Sequence, residues 1–325
     1  MPNYFLGVDA GATKSHALIT DEKGRAVGFA QSGSGNPDWV GQDGFAVILE
    51  EILSQALSSS GIERNQIAGA GFGVAGYDWP SQEKAMLNSI NKLKLHCPIE
   101  LVNDSLIGLM AGATRDWGVA VVAGTSCNAW GIGPDGRYGR MSGYSFLGEY
   151  AGSHELVERA LQQVNKAWSK RSQPTRLTQA FMELTGAASQ ADLIEGISLN
   201  KYQVGPSDAP LVFKVAQEGD QVAQELIHWA GRELGDLAVG IIRQLELFEL
   251  EFEVVLAGSF YRGSPIIQLE MERIVHAVAP SAKFVCLSAP PVIGGVLFGM
   301  KAAGMSAEEI LEARKTMELS YKIMV

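Results

Sequence analysis

Residues 9–14 bring together four residue types that handle phosphate: Asp9, Gly11, Thr13 and Lys14. The apolar run Tyr4 to Val8 predicts a strand leading into Asp9, and residues 16–21 predict a second strand leaving the turn. Gly11 has no Cβ and lets the backbone approach a phosphate closely. The N–H groups of such a turn can point at phosphate oxygens. Thr13 adds a hydroxyl and Lys14 a point charge. Asp9 suits a place near Mg²⁺, through water, because that ion gives up its waters reluctantly. A Walker A loop is excluded, since Lys14-Ser15 lacks the required glycine spacing and is followed by a strand. Taken alone, the segment also fits an ordinary β-hairpin with a tight glycine turn.

The segment AGTSCN offers a second turn of this kind, with Gly124, Thr125 and Ser126 after an apolar strand. Two such turns facing each other would clamp a triphosphate from both sides. Gly258 and Ser259 in LAGSFYRGS, and Gly294 and Gly295 in PPVIGGVLFG, follow the same theme near helix starts, where flat surfaces suit an adenosine and its phosphates. Close helix–strand packing explains the Gly294-Gly295 pair equally well.

Asp104 ends the strand IELVND and precedes a helix, so it is the candidate general base for moving a proton off an attacking hydroxyl. Its bland alternative is a helix cap. Asn103 beside it is a candidate sugar contact. A sugar site needs amides and carboxylates for hydroxyls and a flat apolar surface for the ring. Asn36, Asp38 and Trp39 supply these in the polar stretch GNPDW, and Gly143, Tyr144 and Glu149 do so in a second loop, GYSFLGEYAGS. Each is otherwise a surface loop with an aromatic anchor.

The elements that must position these residues read β-β-β-α-β-α-β-α over the first third, and strand–turn–strand–turn restarts near residue 118. A helical stretch fills about 153–250, and a final β-α-β-α follows. Ser306 and Glu309 form a capping-box pattern for a last helix. The expected fold class is α/β, with a mixed sheet in each half. The expected division is 1–116, then 117–305 with the helical insertion, then a C-terminal helix over 306–325 that packs back on the first domain.

The chain has 325 residues, 46% hydrophobic and 19% charged, enough for a large core and against wholesale disorder. Its net charge of −10 and the absence of a basic run argue against nucleic acid or an anionic membrane as partner. No signal-peptide pattern or membrane-length apolar run is read, so the expected place is the cytoplasm. Cys97, Cys127 and Cys286 are distant and odd in number, which reads as reduced thiols.

In order along the chain, the motifs resemble the sugar kinase/actin/heat-shock chaperone superfamily, and more closely the BadF/BadG/BcrA/BcrD-type ATPase family that includes the N-acetylglucosamine kinases. DAGATKS is similar to that family's first phosphate motif, GNPDW to its sugar loop, FGVAG (ending at Gly76) to the adjoining small-residue strand, and VNDS to the strand bearing the catalytic aspartate. AGTSCN resembles the second phosphate motif, whose neighbours Cys127 and Asn128 then face the sugar. LAGS and PVIGG resemble the adenosine and connecting motifs. Ala10 and Ala12 replace glycines, Glu149-Tyr150-Ala151 stands where the kinases often carry Asp-Glu-Gly, and Cys127 replaces a serine or glycine. One branch of the family holds an iron–sulfur cluster, which would need paired cysteines.

The resemblance implies two RNase H-like (actin-like ATPase) domains flanking a nucleotide/sugar cleft, and an ATP- and Mg²⁺-dependent kinase for an amino sugar, most of all N-acetyl-D-glucosamine, with a different sugar as an alternative and a homodimer left open. A nucleotide-driven regulator of a partner protein and a non-catalytic sugar sensor are the alternatives.

Overall fold

The structure is a computed structural model that describes residues 3–324. Three strands open the chain as an antiparallel meander: β1 (Tyr4–Ala10), β2 (Ser15–Asp21) and β3 (Ala26–Ser32). The chain then runs through α1 (Pro37–Ser60), β4 (Ile67–Val74), α2 (Glu83–Asn91), β5 (Ile99–Asn103) and α3 (Asp104–Gly112). The first sheet has the order β3-β2-β1-β4-β5, with β4 and β5 parallel to β1.

The same plan repeats. A second meander comprises β6 (Gly118–Ala123), β7 (Cys127–Ile132) and β8 (Tyr138–Arg140). Five helices follow: α4 (Ser153–Trp168), α5 (Leu177–Thr185), α6 (Gln190–Ser198), α7 (Ala209–Gln217) and α8 (Gln221–Leu245). Then come β9 (Glu253–Ala257), α9 (Pro265–His276), β10 (Lys283–Cys286), α10 (Val292–Ala302) and α11 (Ala307–Met324). The second sheet is ordered β10-β9-β6-β7-β8, the mirror of the first in sequence role. The duplication read from two strand–turn–strand segments is therefore a duplication of whole sheets, and the actin-like α/β fold class holds.

Two helices lie between the sheets and are exchanged between the halves. α10, which the expected division assigns to the second half, packs along β1 and β4 of the first sheet. α3, from the first half, lies against α10 and against β6, β7 and β9 of the second sheet. The approach of α10 is backbone to backbone: a Cβ on Gly7, Gly69 or Gly71 would overlap the Val292, Gly299 or Gly295 carbonyl. Strand alternation turns Ala70, Phe72 and Val74 the other way, into the core under α1 and α2.

Other details differ from the sequence reading. GNPDW is not a loop throughout: α1 already starts at Pro37, because Pro37 fits the first turn and the Asn36 Oδ1 accepts the Asp38 N–H at 2.8 Å. Gly41 (φ 71°, ψ 168°) breaks the helical backbone shortly afterwards. Helix α7, with Val212, Val215 and Ala216 buried, falls within the expected helical stretch. The capping box at Ser306 and Glu309 is formed, with the Ser306 N–H donating to Glu309 at 2.8 Å. α11 returns to the first sheet, where Ser320 Oγ accepts from Ala26 N–H at 3.0 Å and Arg314 donates to the Ala111 and Ala113 carbonyls at the end of α3. No helix among the described residues is long and apolar enough to cross a membrane.

Candidate active site

The first phosphate turn is braced from several sides. Gly11 N–H donates to the Lys14 carbonyl at 3.1 Å, Gly35 N–H to the Gly11 carbonyl at 3.0 Å, and Ala75 N–H to the Ala10 carbonyl at 2.9 Å. Gly11 supplies room here: a Cβ would lie 2.8 Å from the Lys14 carbonyl oxygen. Thr13 and Lys14 are exposed at the tip. Asp9 is directly opposite His16 in the β1–β2 register, and its carboxylate lies 3.7 Å from His16 Nδ1. His16 is held by Gln31 at 3.2 Å and stacks on Phe29.

The second turn is held by the start of α4. Gly124 N–H donates to the Ser126 carbonyl at 2.9 Å, Ser153 N–H to the Gly124 carbonyl at 2.8 Å, and His154 N–H to the Thr125 carbonyl at 2.9 Å. Thr125 and Ser126 remain exposed. β9 runs parallel beside β6, so Gly258 and Ser259 emerge next to this turn. Gly258 (φ 110°) passes so close to Ala123 that a Cβ would overlap its carbonyl. Gly294 and Gly295 do not join them: both are buried where α10 meets α3 and the first sheet, so the packing explanation accounts for them.

Asp104 is the first residue of α3, and the cap is Asn103, whose Oδ1 accepts the Ser105 N–H at 2.9 Å. The Asp104 carboxyl is partly exposed, and desolvation together with the charges of Asp9 and Asp78 pushes its pKa up to about 7. It also draws on the Ser105 N–H and its own, which lowers its proton affinity somewhat. Asn103 is itself buried and fully engaged, since its Nδ2 donates to the Tyr77 carbonyl and to Asp78 Oδ1, each at 3.1 Å. It serves the framework where a sugar contact was expected.

Asp78 gathers the sugar-side residues. Asn128 Nδ2 donates to it at 3.2 Å from the second half. Gly143 (φ 73°) lies against the Asn128 amide, and Glu149 accepts the Ser142 N–H at 2.9 Å and the Gly143 N–H. On the other side Gly76 (φ 81°) leaves space for Asn36 and Asp38, whose oxygens would lie 2.7 and 2.8 Å from a Cβ there. Burial raises Asp78 to about 6, opposed by the Asn128 bond and reinforced by the charges of Asp38 and Glu149. Cys127 is different: its thiol is buried, donates to the Glu149 carbonyl and is pushed well up in pKa by burial, so it belongs to the core of the second half. Trp39 is 63% exposed on the first turn of α1, and Tyr144 is also exposed.

The sequence reading missed Asp78 and His16. Asp9 is the penultimate residue of β1, Asp104 directly follows β5, and Asp78 lies in the turn after β4; these three strands are neighbours and parallel. The strand-end rule that found two of them reaches the third once Gly76-Tyr77 is seen as an extension of the β4 turn. His16 gave no signal beyond its place in a strand. Among the described residues no three His, Cys, Asp or Glu side chains come together to hold a metal ion. The oxygen-only, partly open Asp9 still suits Mg²⁺, which keeps most of its waters.

Comparison with known proteins fits this geometry. Residues 6–299 match the BadF/BadG/BcrA/BcrD ATPase family. The sequence is 24% identical to the N-acetyl-D-glucosamine kinase of Dictyostelium discoideum, over 92% of this chain and 98% of that protein. A structure from Chromobacterium violaceum assigned as an N-acetylglucosamine kinase superposes with a TM-score of 0.65 at 21% identity, covering 91% of this chain and 98% of that one. A ROK family glucokinase from Streptomyces griseus, solved with glucose and AMPPNP, gives 0.53 at 17% identity, covering 97% and 98%. At these identities the two structures speak to the fold.

Proposed function

The chain belongs to the BadF/BadG/BcrA/BcrD ATPase family, and from that premise we propose that it is an ATP-dependent kinase of an amino sugar, with N-acetyl-D-glucosamine as the first candidate. The observation that carries this reading is Asp104: a carboxyl directly after β5, faced by Asp9 and Asp78, next to a helix cap supplied by Asn103, with a proton affinity near neutrality. A base in that range can accept the proton of a sugar hydroxyl as the bond to phosphorus forms. The N-acetyl-D-glucosamine kinase relative from Dictyostelium supports the choice of sugar.

In this reading Thr13, Lys14, Thr125 and Ser126 hold the phosphates of ATP, with Gly124, Gly258 and Ser259 close to the nucleotide. Asp9 holds Mg²⁺ through water, and His16 steadies the Asp9 carboxylate. When bound, Mg²⁺ would neutralise charge on the phosphate oxygens. Asp38, Asn128 and Glu149 meet sugar hydroxyls, and Trp39 and Tyr144 cover the ring. Closing the halves would exclude water from Asp104 and limit hydrolysis of ATP.

A coupled ADP-release assay over a panel of sugars and N-acetyl sugars tests this. The expected result is ATP turnover that depends on an amino sugar. ATP turnover indifferent to every sugar would instead favour a nucleotide-driven regulator of a partner protein.

A further inference from the structure

Resting on the kinase reading, we infer that Asp78 is a positioning residue: one of its oxygens joins Asn103 of the first half to Asn128 of the second and thereby sets the place and charge surroundings of Asp104. Asp78 is only 8% exposed. Its Oδ1 accepts from Asn103 at 3.1 Å and from Asn128 at 3.2 Å. Asn103 ends β5 and caps α3, so a shift of this side chain moves the first residue of α3, Asp104. Asn128 lies on β7, beside the second phosphate turn. A shared acceptor satisfies both amides only while the two halves keep their spacing.

The identity of the residue adds a second argument. An asparagine would accept the same two bonds without burying a charge. A buried carboxylate without a matched cation costs stability. The groups facing it are Asp38 from the start of α1, Glu149 from the loop before α4, Arg140 from β8 and Asp104 from α3. Arg140 is turned over the ring of Trp79, 5.0 Å from its centre. Three carboxylates thus surround Asp78 against one guanidinium. Packing does not require the charge, and its effect falls on Asp104, which is faced by Asp9 and Asp78 and holds its proton more tightly for both.

Asp78→Asn and Asp78→Ala separate bond from charge. Asp78→Ala should lower kcat by about 10- to 100-fold, the scale of a misplaced catalytic group, with KM for MgATP nearly unchanged. Asp78→Asn should recover most of that loss, yet move the acid limb of kcat/KM down by roughly half a pH unit or more. A ¹³C titration of the Asp104 carboxyl in the ligand-free protein should move the same way. An Asp104 titration and acid limb unaltered in Asp78→Asn, or an Asp78→Ala protein that loses melting temperature but no kcat, would overturn the assignment. A wild-type protein that turns over no sugar counts against the kinase reading instead, and the carboxyl titration still decides for or against Asp78.

Discussion

Asp104 and Asp78 place activity and stability in opposition. Both carboxyls bind protons more tightly in the folded chain than in the unfolded one, where an aspartate titrates near pH ~3.9. Where the native state holds more protons, unfolding free energy falls as pH rises. The loss runs from about pH 4 up to the folded values, about 6 and about 7, and is complete above them. Turnover needs the ionised base, so kcat/KM should rise with pH through about 7 in the free enzyme, over the upper part of the range in which melting temperature falls. Asp104→Asn should lower kcat by about 10²–10⁴-fold and raise the melting temperature at pH 8. Paired pH series of kinetics and calorimetry check both signs. Turnover of Asp104→Asn within a few-fold of wild type would reduce Asp104 to the first residue of a helix.

Two backbone positions flanking the second phosphate turn, one in the loop before α4 and one after β9, make opposite demands. Ala151 is buried with φ 128°, a region that residues with a side chain avoid. Ala151→Gly should therefore stabilise the protein by about 1 kcal/mol, after allowing for the entropy of a new glycine. Gly258 shows the reverse, and Gly258→Ala should cost roughly 2–3 kcal/mol because its Cβ meets the Ala123 backbone. Chemical denaturation of the two variants reads both effects, and equal midpoints would refute the strain argument. Local devices of this scale were legible in the sequence where the signal is local: strand–Asp–turn at Asp9, the acid just after β5, the Ser306–Glu309 cap, the hairpin turns. What periodicity cannot reveal is the partner of a face. The glycines of α10 fit ligand surface and strand packing equally well in the sequence, because nothing there says that a strand with Gly69 and Gly71 lies against them. The start of α1 was hidden by reading Pro37 as a loop residue when it occupied a first turn.

Across the whole molecule, the cleft residues come from both halves: Asp9, Asp78 and Asp104 from the first sheet and its connections, Thr125, Asn128 and Glu149 from the second. A ligand that touches both sides favours the closed arrangement, and the next ligand then binds a cleft already nearer closure. A non-hydrolysable ATP analogue with Mg²⁺ should tighten sugar binding by about 5–150-fold, and the sugar should tighten the analogue by the same factor. Calorimetric titrations in both orders measure the two factors, and independent affinities would count against closure between the halves. The exchanged helices add a consequence for the history of the chain. One half alone would leave bare the sheet face that its own last helix does not cover. Two copies lending those helices to each other would cover both faces, as a swapped homodimer does. Joining two such genes end to end would preserve the exchange: α3 of the first copy beside the second sheet, α10 of the second copy on the first. The single polypeptide has the packing that such a joining would leave, with α3 touching both sheets.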